Sequence, residues 1–311
     1  MTITFRQLEH FAAVAELGTV TAAAQQLHLS QSAVSTAVSD LEKALKVQLF
    51  IRQARGLVLT RDGQSLLAHA RQLLRDVDNL ERNAGRLGQE LTGTLHIGCY
   101  ATIAPVLMPR LVAEFAESHP AIDIRFSEGS RSDLLRQLMK GECDVAVMYD
   151  YRFGDQLTEV GNVVPLGSVR PYALLPAEHH RATAGEVSLA DLAQEPFILF
   201  DLEPAGEYFL SLFSAAGLTP TVRFRTASFE VLRGLVAQGL GCSLLSQRAR
   251  HMASLEGLDY AAVELDGHPE ALDIVAVTPG HRNHSQRVQL FLRQAAEVLS
   301  TSPRYYPAGE R

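Results

Sequence analysis

The chain has 311 residues, 47% hydrophobic and 20% charged, with a formal net charge of −7. This is ordinary globular composition with room for two or three domains, which excludes a disordered chain. The negative balance excludes a protein that coats nucleic acid through overall charge, so any DNA contact is local.

The start, MTITFRQLEH, lacks the basic region and apolar core of a signal peptide. No charge-free apolar run approaches the roughly 20 residues needed to cross a bilayer, so a cytoplasmic protein with no membrane partner is expected. Cys99, Cys143 and Cys242 are odd in number, far apart and set in apolar, strand-like runs. They read as buried thiols; a peroxide-sensing disulfide switch is the alternative, and no close cysteine pair in a loop supports it.

In chain order, the first informative stretch is residues 21–60, which reads as two short helices joined by a tight turn and followed by a basic hairpin. Thr21 is placed to cap the first of these helices, Leu27, His28 and Leu29 form the turn, and Ser30 caps the second. Val34, Val38, Leu41 and Leu45 fall on one face of that second helix, while Ser32, Ser35, Thr36, Ser39 and Lys43 occupy the other. An apolar back with a front of short hydrogen-bonding side chains suits a helix inserted in a DNA major groove. An ordinary surface helix with a solvated face is the other reading. Arg52 and Arg55 flank a turn at Gly56, and two arginines around a hairpin suit phosphate contact. Residues 1–61 hold Arg6, Lys43, Lys46, Arg52, Arg55 and Arg61 against Glu9, Glu16, Asp40 and Glu42, so the acidity lies elsewhere.

Here the chain resembles the LysR-type transcriptional regulators. The resemblance is carried by FRQLEHFAAVAELG, TxAA, SQxAVS, LE, LKVQLF, the following arginine and LT, and it extends over nearly the whole chain. It implies that base and phosphate contacts fall on Gln31, Ser32, Ser35, Thr36 and Arg52. Two departures matter: Ser32 stands where a proline is common and Thr36 where an arginine is common, so the operator cannot be borrowed from a relative. The expected architecture is α/β with an N-terminal all-α winged helix-turn-helix over 1–61, a long linker helix over 62–91, and a two-lobe, periplasmic-binding-protein-like effector domain over 92–301. A tail, 302–311, follows.

From Asp62, Leu66, Leu73, Leu80 and Leu87 recur every seven residues, with Ala70, Val77, Ala84 and Leu91 at the companion positions. That is a coiled-coil seam, so Leu66, Leu73, Val77, Leu80 and Leu87 are the dimerising residues expected. A helix lying on its own domain is the alternative, and the resemblance implies pairing between subunits and a tetramer.

After Gly93 strands and helices alternate. TLHIGCY, IDIRFS and CDVAVMY, separated by helices near 104–118 and 130–140, read as βαβ units in a parallel sheet. PYALLP, PFILF, TVRFRT and GCSLLS follow, with helices near 205–216 and 228–238. ALDIVAVTP and a helix over about 284–299 are expected to return to the first lobe, giving lobe I over about 92–162 and 269–301 and lobe II over about 163–268.

Ligands of open α/β sheets bind beyond the carboxyl ends of strands, at helix N-termini. Three such junctions carry hydroxyls: Tyr100-Ala101-Thr102, Glu128-Gly129-Ser130 and Thr226-Ala227-Ser228. They suit a small anion, although Ser130 and Ser228 serve equally well as plain helix caps. Tyr149, Phe200 and Asp201 end strands and offer an aromatic wall and an acceptor; Asp150 and Arg152 lie nearby. The resemblance implies that Thr102 and Ser130 hold the effector.

No cofactor, metal or catalysis is expected. His179-His180 and the His281/His284 spacing lack nearby cysteines or matched carboxylates, and no GxSxG, Walker, HExxH or CxxC motif occurs. The expected function is a regulator, not an enzyme, that binds an interrupted palindrome in double-stranded DNA as a homo-oligomer and responds to a small anionic metabolite between its lobes. The rivals are a DNA-binding regulator without an effector, a solute-binding protein, and an α/β enzyme with an appended DNA-binding domain.

Overall fold

The computed structural model describes residues 3–53, 56–83, 91–152, 157–280, 285–302 and 305, leaving out the side chains of 75, 76 and 78–83. The chain forms two compact units: Met1–His96 with His119–Arg125 and Arg136–Asp144, and Ile97–Ser118 with Phe126–Leu135 and Val145–Arg311.

The first unit begins with α1 (Phe5–Leu17), α2 (Val20–Gln26) and α3 (Gln31–Leu45), then a hairpin of β1 (Phe50–Gln53) and β2 (Gly56–Leu59), then α4 (Arg61–Asn83). Thr4 and Gln7 form a reciprocal capping box on α1. The cap of α2 is Thr19, whose Oγ1 accepts from Ala22 N at 3.1 Å, and not Thr21, which lies inside the helix. Ser30 caps α3 as expected, accepting from Ala33 N at 3.2 Å. His28, at φ 54°, makes the turn between α2 and α3.

Two apolar clusters hold these elements. Ala13, Val14, Ala23, Ala24, Val34 and Val38 form one, and Leu8, Phe11, Leu41, Leu49, Leu67 and Ala70 form the other. Each buried valine or leucine contributes about 1.5–3 kcal/mol, so α3 is fixed by its apolar back. The hairpin is attached by polar groups: Glu42 Oε1 accepts from Leu49 N at 2.7 Å and Phe50 N at 3.3 Å. Gly56 sits at φ 135°, and a Cβ there would lie 2.5 Å from Gly18 O, so only glycine lets the wing approach the end of α1. Thr60 caps α4 through Gly63 N at 2.9 Å. Arg71 of α4 then donates to Glu142 at 3.2 Å and lies 3.6 Å from Glu16.

After α4 come β3 (Gly93–Tyr100), α5 (Ala104–Ser118), β4 (Ile122–Gly129), α6 (Arg131–Met139), β5 (Val145–Asp150), α7 (Leu157–Val160) and β6 (Gly161–Val169). Next are β7 (Tyr172–Pro176), β8 (Glu186–Val187), α8 (Leu189–Ala193), β9 (Pro196–Phe200), α9 (Ala205–Ala215), β10 (Thr221–Thr226) and α10 (Phe229–Ala237). β11 (Ser243–Leu245), β12 (Tyr260–Leu265), β13 (Leu272–Pro279) and α11 (Gln286–Ser300) complete the order.

The larger sheet runs β4-β3-β5-β13-β6. β3 and β5 are parallel, with Ile97 opposite Val145, but β13 is antiparallel to both β5 and β6, so the sheet is mixed and not wholly parallel. The reversal follows from connectivity, because β13 re-enters from the second lobe. β6 stays paired with β13 as far as Val169, so the first lobe extends past the boundary near 162 that the sequence suggested. The second lobe carries a four-stranded sheet, β11-β7-β12-β8, and a parallel pair, β10-β9. The central strand β5 is buried along VAVMY, while β10 alternates between exposed and half-buried residues.

The Glu42 contact makes the wing's attachment testable. Glu42→Ala strands two backbone donors, one on the fully buried Leu49, and is expected to lower stability by about 1–3 kcal/mol in chemical denaturation. Glu42→Gln keeps an acceptor and should retain most of it. Equal stability of the alanine variant and wild type would show that water replaces the carboxylate.

Candidate functional site

On α3 the buried back leaves Gln31, Ser32, Ser35 and Thr36 exposed on one helical stripe, with Ser39 half-buried at its end. Ser32 Oγ is 3.0 Å from Ser30 Oγ, so it shares the cap region. Lys43 is engaged with Asp40 at 3.2 Å. Arg52 is exposed on β1, where it pairs across the hairpin with Leu57. Arg55 lies outside the described residues.

The sequence reading passed over the start of α1. Thr4, Arg6, Gln7 and His10 share a hollow with Ser32 and Thr36, which brings a guanidinium to the exposed face of α3. The signal available was the charge of Arg6 on a helix whose other face, Leu8 and Phe11, is core.

On α4, Leu67 and Ala70 are buried in the winged-helix core and Leu66 packs against it, so Leu66 and Ala70, read as seam positions, serve their own domain. Leu73 is 40% exposed and Val77 half-buried. The side chain of Leu80, and Leu87 as a whole, lie outside the described residues.

In the second unit, Tyr100, Thr102 and Tyr149 are brought together. Tyr100 and Tyr149 are edge-on at 5.5 Å, and the Thr102 hydroxyl is near enough to the Tyr149 phenol to offset part of its upward shift. Tyr151 and Tyr208 extend the group, 5.6 Å from Tyr149 and 5.3 Å from Tyr151 respectively. Burial pushes the Tyr100, Tyr149 and Tyr151 phenols above their ordinary range, so they remain neutral donors. Phe200, Asp201, Thr226 and Ser228 form a second group. Phe200 meets Phe229 edge-on at 6.3 Å, Asp201 N donates to Thr226 O at 2.8 Å, and Asp201 accepts from Arg225 at 3.3 Å.

The two groups meet at Leu202 and Glu203. Tyr100 Oη donates to Leu202 O at 3.3 Å and Glu203 O at 3.2 Å, and Ser132 Oγ donates to Glu203 Oε2 at 3.1 Å. Ser130 and Ser228 do cap their own helices. Ser130 Oγ accepts from Asp133 N at 3.2 Å and donates to Asp133 Oδ2 at 2.6 Å, and Ser228 Oγ accepts from Val231 N at 3.3 Å. Asp133 and Glu203 were not foreseen: Asp133 places a carboxylate on Ser130, a serine expected to greet an anion, and Glu203 places one on Ser132, whose Oγ is 3.0 Å from that of Ser130. Asp150 caps the turn to Arg152, which is bound to Glu270 and Asp273.

The fold brings one carboxylate to His179 and His180: Glu195 Oε1 lies 3.3 Å from His179 Nε2, and all three residues offer ligand atoms within 4.8 Å. Arg181 N donates to His179 Nδ1 at 3.1 Å, so in the neutral ring Nε2 carries the proton and donates to Glu195. That is an internal pair. The His281/His284 spacing lies outside the described residues. No helix among the described residues is long and apolar enough to cross a membrane.

Residues 5–64 match the family described as bacterial regulatory helix-turn-helix protein, lysR family, and residues 88–300 match the LysR substrate binding domain. An uncharacterized HTH-type transcriptional regulator, YvbU, of Bacillus subtilis (strain 168) is 32% identical over 306 residues, 96% of this chain and 99% of that one. A hydrogen peroxide-inducible genes activator of Pectobacterium carotovorum subsp. carotovorum is 31% identical over 241 residues, 77% of this chain and 78% of its own. The crystal structure of HinK, a LysR family transcriptional regulator from Pseudomonas aeruginosa, superposes with a TM-score of 0.62 at 34% identity, covering 95% of this chain and 98% of that one. An N-terminal helix-turn-helix domain is thus followed by a LysR substrate binding domain, and the chain belongs to the LysR family of DNA-binding transcriptional regulators.

Proposed function

We propose that residues 1–61 read an interrupted palindrome in double-stranded DNA, that residues 62–91 pair subunits, and that residues 92–301 bind a small metabolite whose preference for one lobe arrangement resets the geometry of the bound DNA. The protein works in the cytoplasm, without catalysis, as a homo-oligomer. The observation that carries this reading is the exposed stripe of Gln31, Ser32, Ser35 and Thr36 opposite the buried Val34, Val38 and Leu41. Pairing through α4 is supported by Leu73, an exposed leucine on a helix whose other apolar side is already committed to its own core.

The effector class follows from the charges at the cleft. The helix starts after β3 and β4 favour a carboxylate, but Asp133, Glu203 and Asp201 oppose a ligand that is only anionic. A small carboxylate that also carries a hydrogen-bond donor, such as a hydroxy acid or amino acid, satisfies both. A solute carrier does not account for the N-terminal reading helix.

Peroxide sensing, suggested by the Pectobacterium relative's name, is opposed by the thiols. Cys99, Cys143 and Cys242 are buried thiols. Burial pushes the Cys242 thiol up to about 12 and the Cys99 thiol further, leaving little thiolate, the reactive form, at neutral pH. Operator affinity is therefore expected to stay within about twofold after hydrogen peroxide treatment; a shift reversed by reductant would establish thiol sensing.

Operator binding measured by fluorescence anisotropy at several salt concentrations tests the reading face. Gln31→Ala and Ser35→Ala should each weaken specific binding by about 1–3 kcal/mol while changing non-specific binding less. Arg6→Gln and Arg52→Gln should weaken both and each lower the salt slope by about one. Affinities unchanged in all four variants would remove α3 and the wing from the DNA interface.

For the cleft, a thermal-shift screen of small carboxylates, hydroxy acids and amino acids supplies the ligand, and calorimetry follows. Thr102→Val should weaken it by about 1.5–3 kcal/mol. Glu203→Gln should weaken a ligand with a charged donor but tighten a purely anionic one, so its sign identifies the class. Indifference to both substitutions would place the effector elsewhere.

A further inference from the structure

A second cavity, of about 620 Å³, shares no lining residue with the tyrosine group. Its walls include Arg110 of α5, Arg170 after β6, Ser246, Arg248 and Arg250 after β11, and Glu264 of β12. Four guanidiniums thus face one carboxylate. Two of them are held in place: Arg248 pairs with Glu264 and stacks 4.6 Å from the Tyr172 ring, while Arg110 is bound to Glu114 at 2.6 Å and donates to Thr301 Oγ1 at 3.3 Å. Arg250 is exposed at the rim.

Ser246 supplies an independent sign that the cavity is built for a ligand. It is 6% exposed, lines the cavity, and its Oγ has no hydrogen-bond partner among the described residues. Buried hydroxyls are nearly always satisfied, so one left open at the base of an arginine-lined cavity marks a place for an incoming acceptor. Planar guanidinium forks match phosphate oxygens better than any point charge does, and the volume accommodates a small phosphomonoester.

We propose that this cavity binds a phosphorylated small metabolite, whose dianionic phosphate is held by Arg170, Arg248, Arg250 and the Ser246 hydroxyl, as an effector address separate from the cleft. The wall residues explain how such a ligand acts. Arg170 lies where the chain leaves the five-stranded sheet, Arg248 and Arg250 follow the four-stranded one, and Arg110 belongs to the first lobe. A dianion among them links both lobes and favours the arrangement that brings these arginines together. The inference stands whether or not the cleft takes the ligand class assigned to it above.

Calorimetry on the full-length protein tests it, with inorganic phosphate and ribose 5-phosphate as probes and chloride at matched ionic strength as the control. One saturable site per chain is expected, tighter for the sugar phosphate. Arg250→Gln should weaken it about tenfold and Ser246→Ala several-fold, while Thr102→Val leaves it unchanged. Circular dichroism and probe-free operator binding should be the same in Arg250→Gln and wild type. Heat that follows ionic strength alone, or binding equally strong in Arg250→Gln and Ser246→Ala, would overturn the proposal. So would loss in Thr102→Val, which would put the probe in the cleft, or weaker probe-free operator binding in Arg250→Gln, which would make the cavity a DNA contact.

Discussion

The effector domain turns on one buried amide. Gln247, 1% exposed, accepts from Tyr149 Oη at 3.1 Å, donates from Nε2 to Tyr305 Oη at 2.7 Å, and accepts from Tyr172 Oη at 3.1 Å through its carbonyl. Tyr149 ends β5 of the larger sheet, Tyr172 begins β7 of the smaller one, and Tyr305 follows the last helix. At low local dielectric, losing any member leaves the others unsatisfied, so the three partners hold as a set. Gln247 is also flanked in sequence by Ser246 and Arg248 of the arginine cavity, while Tyr149 belongs to the tyrosine group with Tyr100. An occupant of either proposed place would border the same amide, and two such ligands would bias one equilibrium if each prefers one lobe arrangement.

The parts legible in the sequence are those governed by local periodicity. The buried trio Val34, Val38 and Leu41 was fixed by helical spacing, and the run VAVMY announced a strand covered on both faces. Local rules also explain two failures. Thr19 and Thr21 are equally good caps by residue type, and the choice falls to Thr19 because Gly18 in the left-handed region ends α1 just before it. β6 went unseen because Pro165 and its glycines read as loop, yet β6 is the edge of its sheet, where a missing N–H is tolerated. β12 has little apolar contrast and is recruited by pairing with β7.

The tyrosine group was half legible for a different reason. Strand ends point to it, so Tyr100, Thr102 and Tyr149 could be named, but what opposes them arrives from distant sequence. Glu203 meets Ser132, and Gln247 meets Tyr149, only after the second lobe is in place. These long-range partners reverse the electrostatic reading. A helix start with an open serine favours an anion; the same start with Ser130 hydrogen-bonded to Asp133 and Ser132 to Glu203 asks for a donor too. Positive charge gathers instead at arginines that no strand-end rule would collect: one from α5, one leaving β6 and two after β11.

The linker helix shows how one amphipathic face is divided. A heptad pattern counts apolar residues without regard to which surface receives them. Along the first turns of α4 the receiver is the winged helix itself, since Gly63 lets the helix start pass so near Leu49 O that a Cβ would lie 2.2 Å from it, and Leu67 and Ala70 then enter the core with Phe11 and Leu41. Arg71, on Glu16 and Glu142, marks the end of that intramolecular footing. Leu73 lies just beyond it and is the first leucine of the repeat to remain exposed. A seam for a partner helix, as proposed, would therefore begin about two turns later than the repeat suggests. In the proposed assembly, anchoring the early turns would gain precision, because a reading helix tied rigidly to the base of a dimerising helix would keep a fixed half-site spacing, whereas a seam running to the first residue would let the head swing.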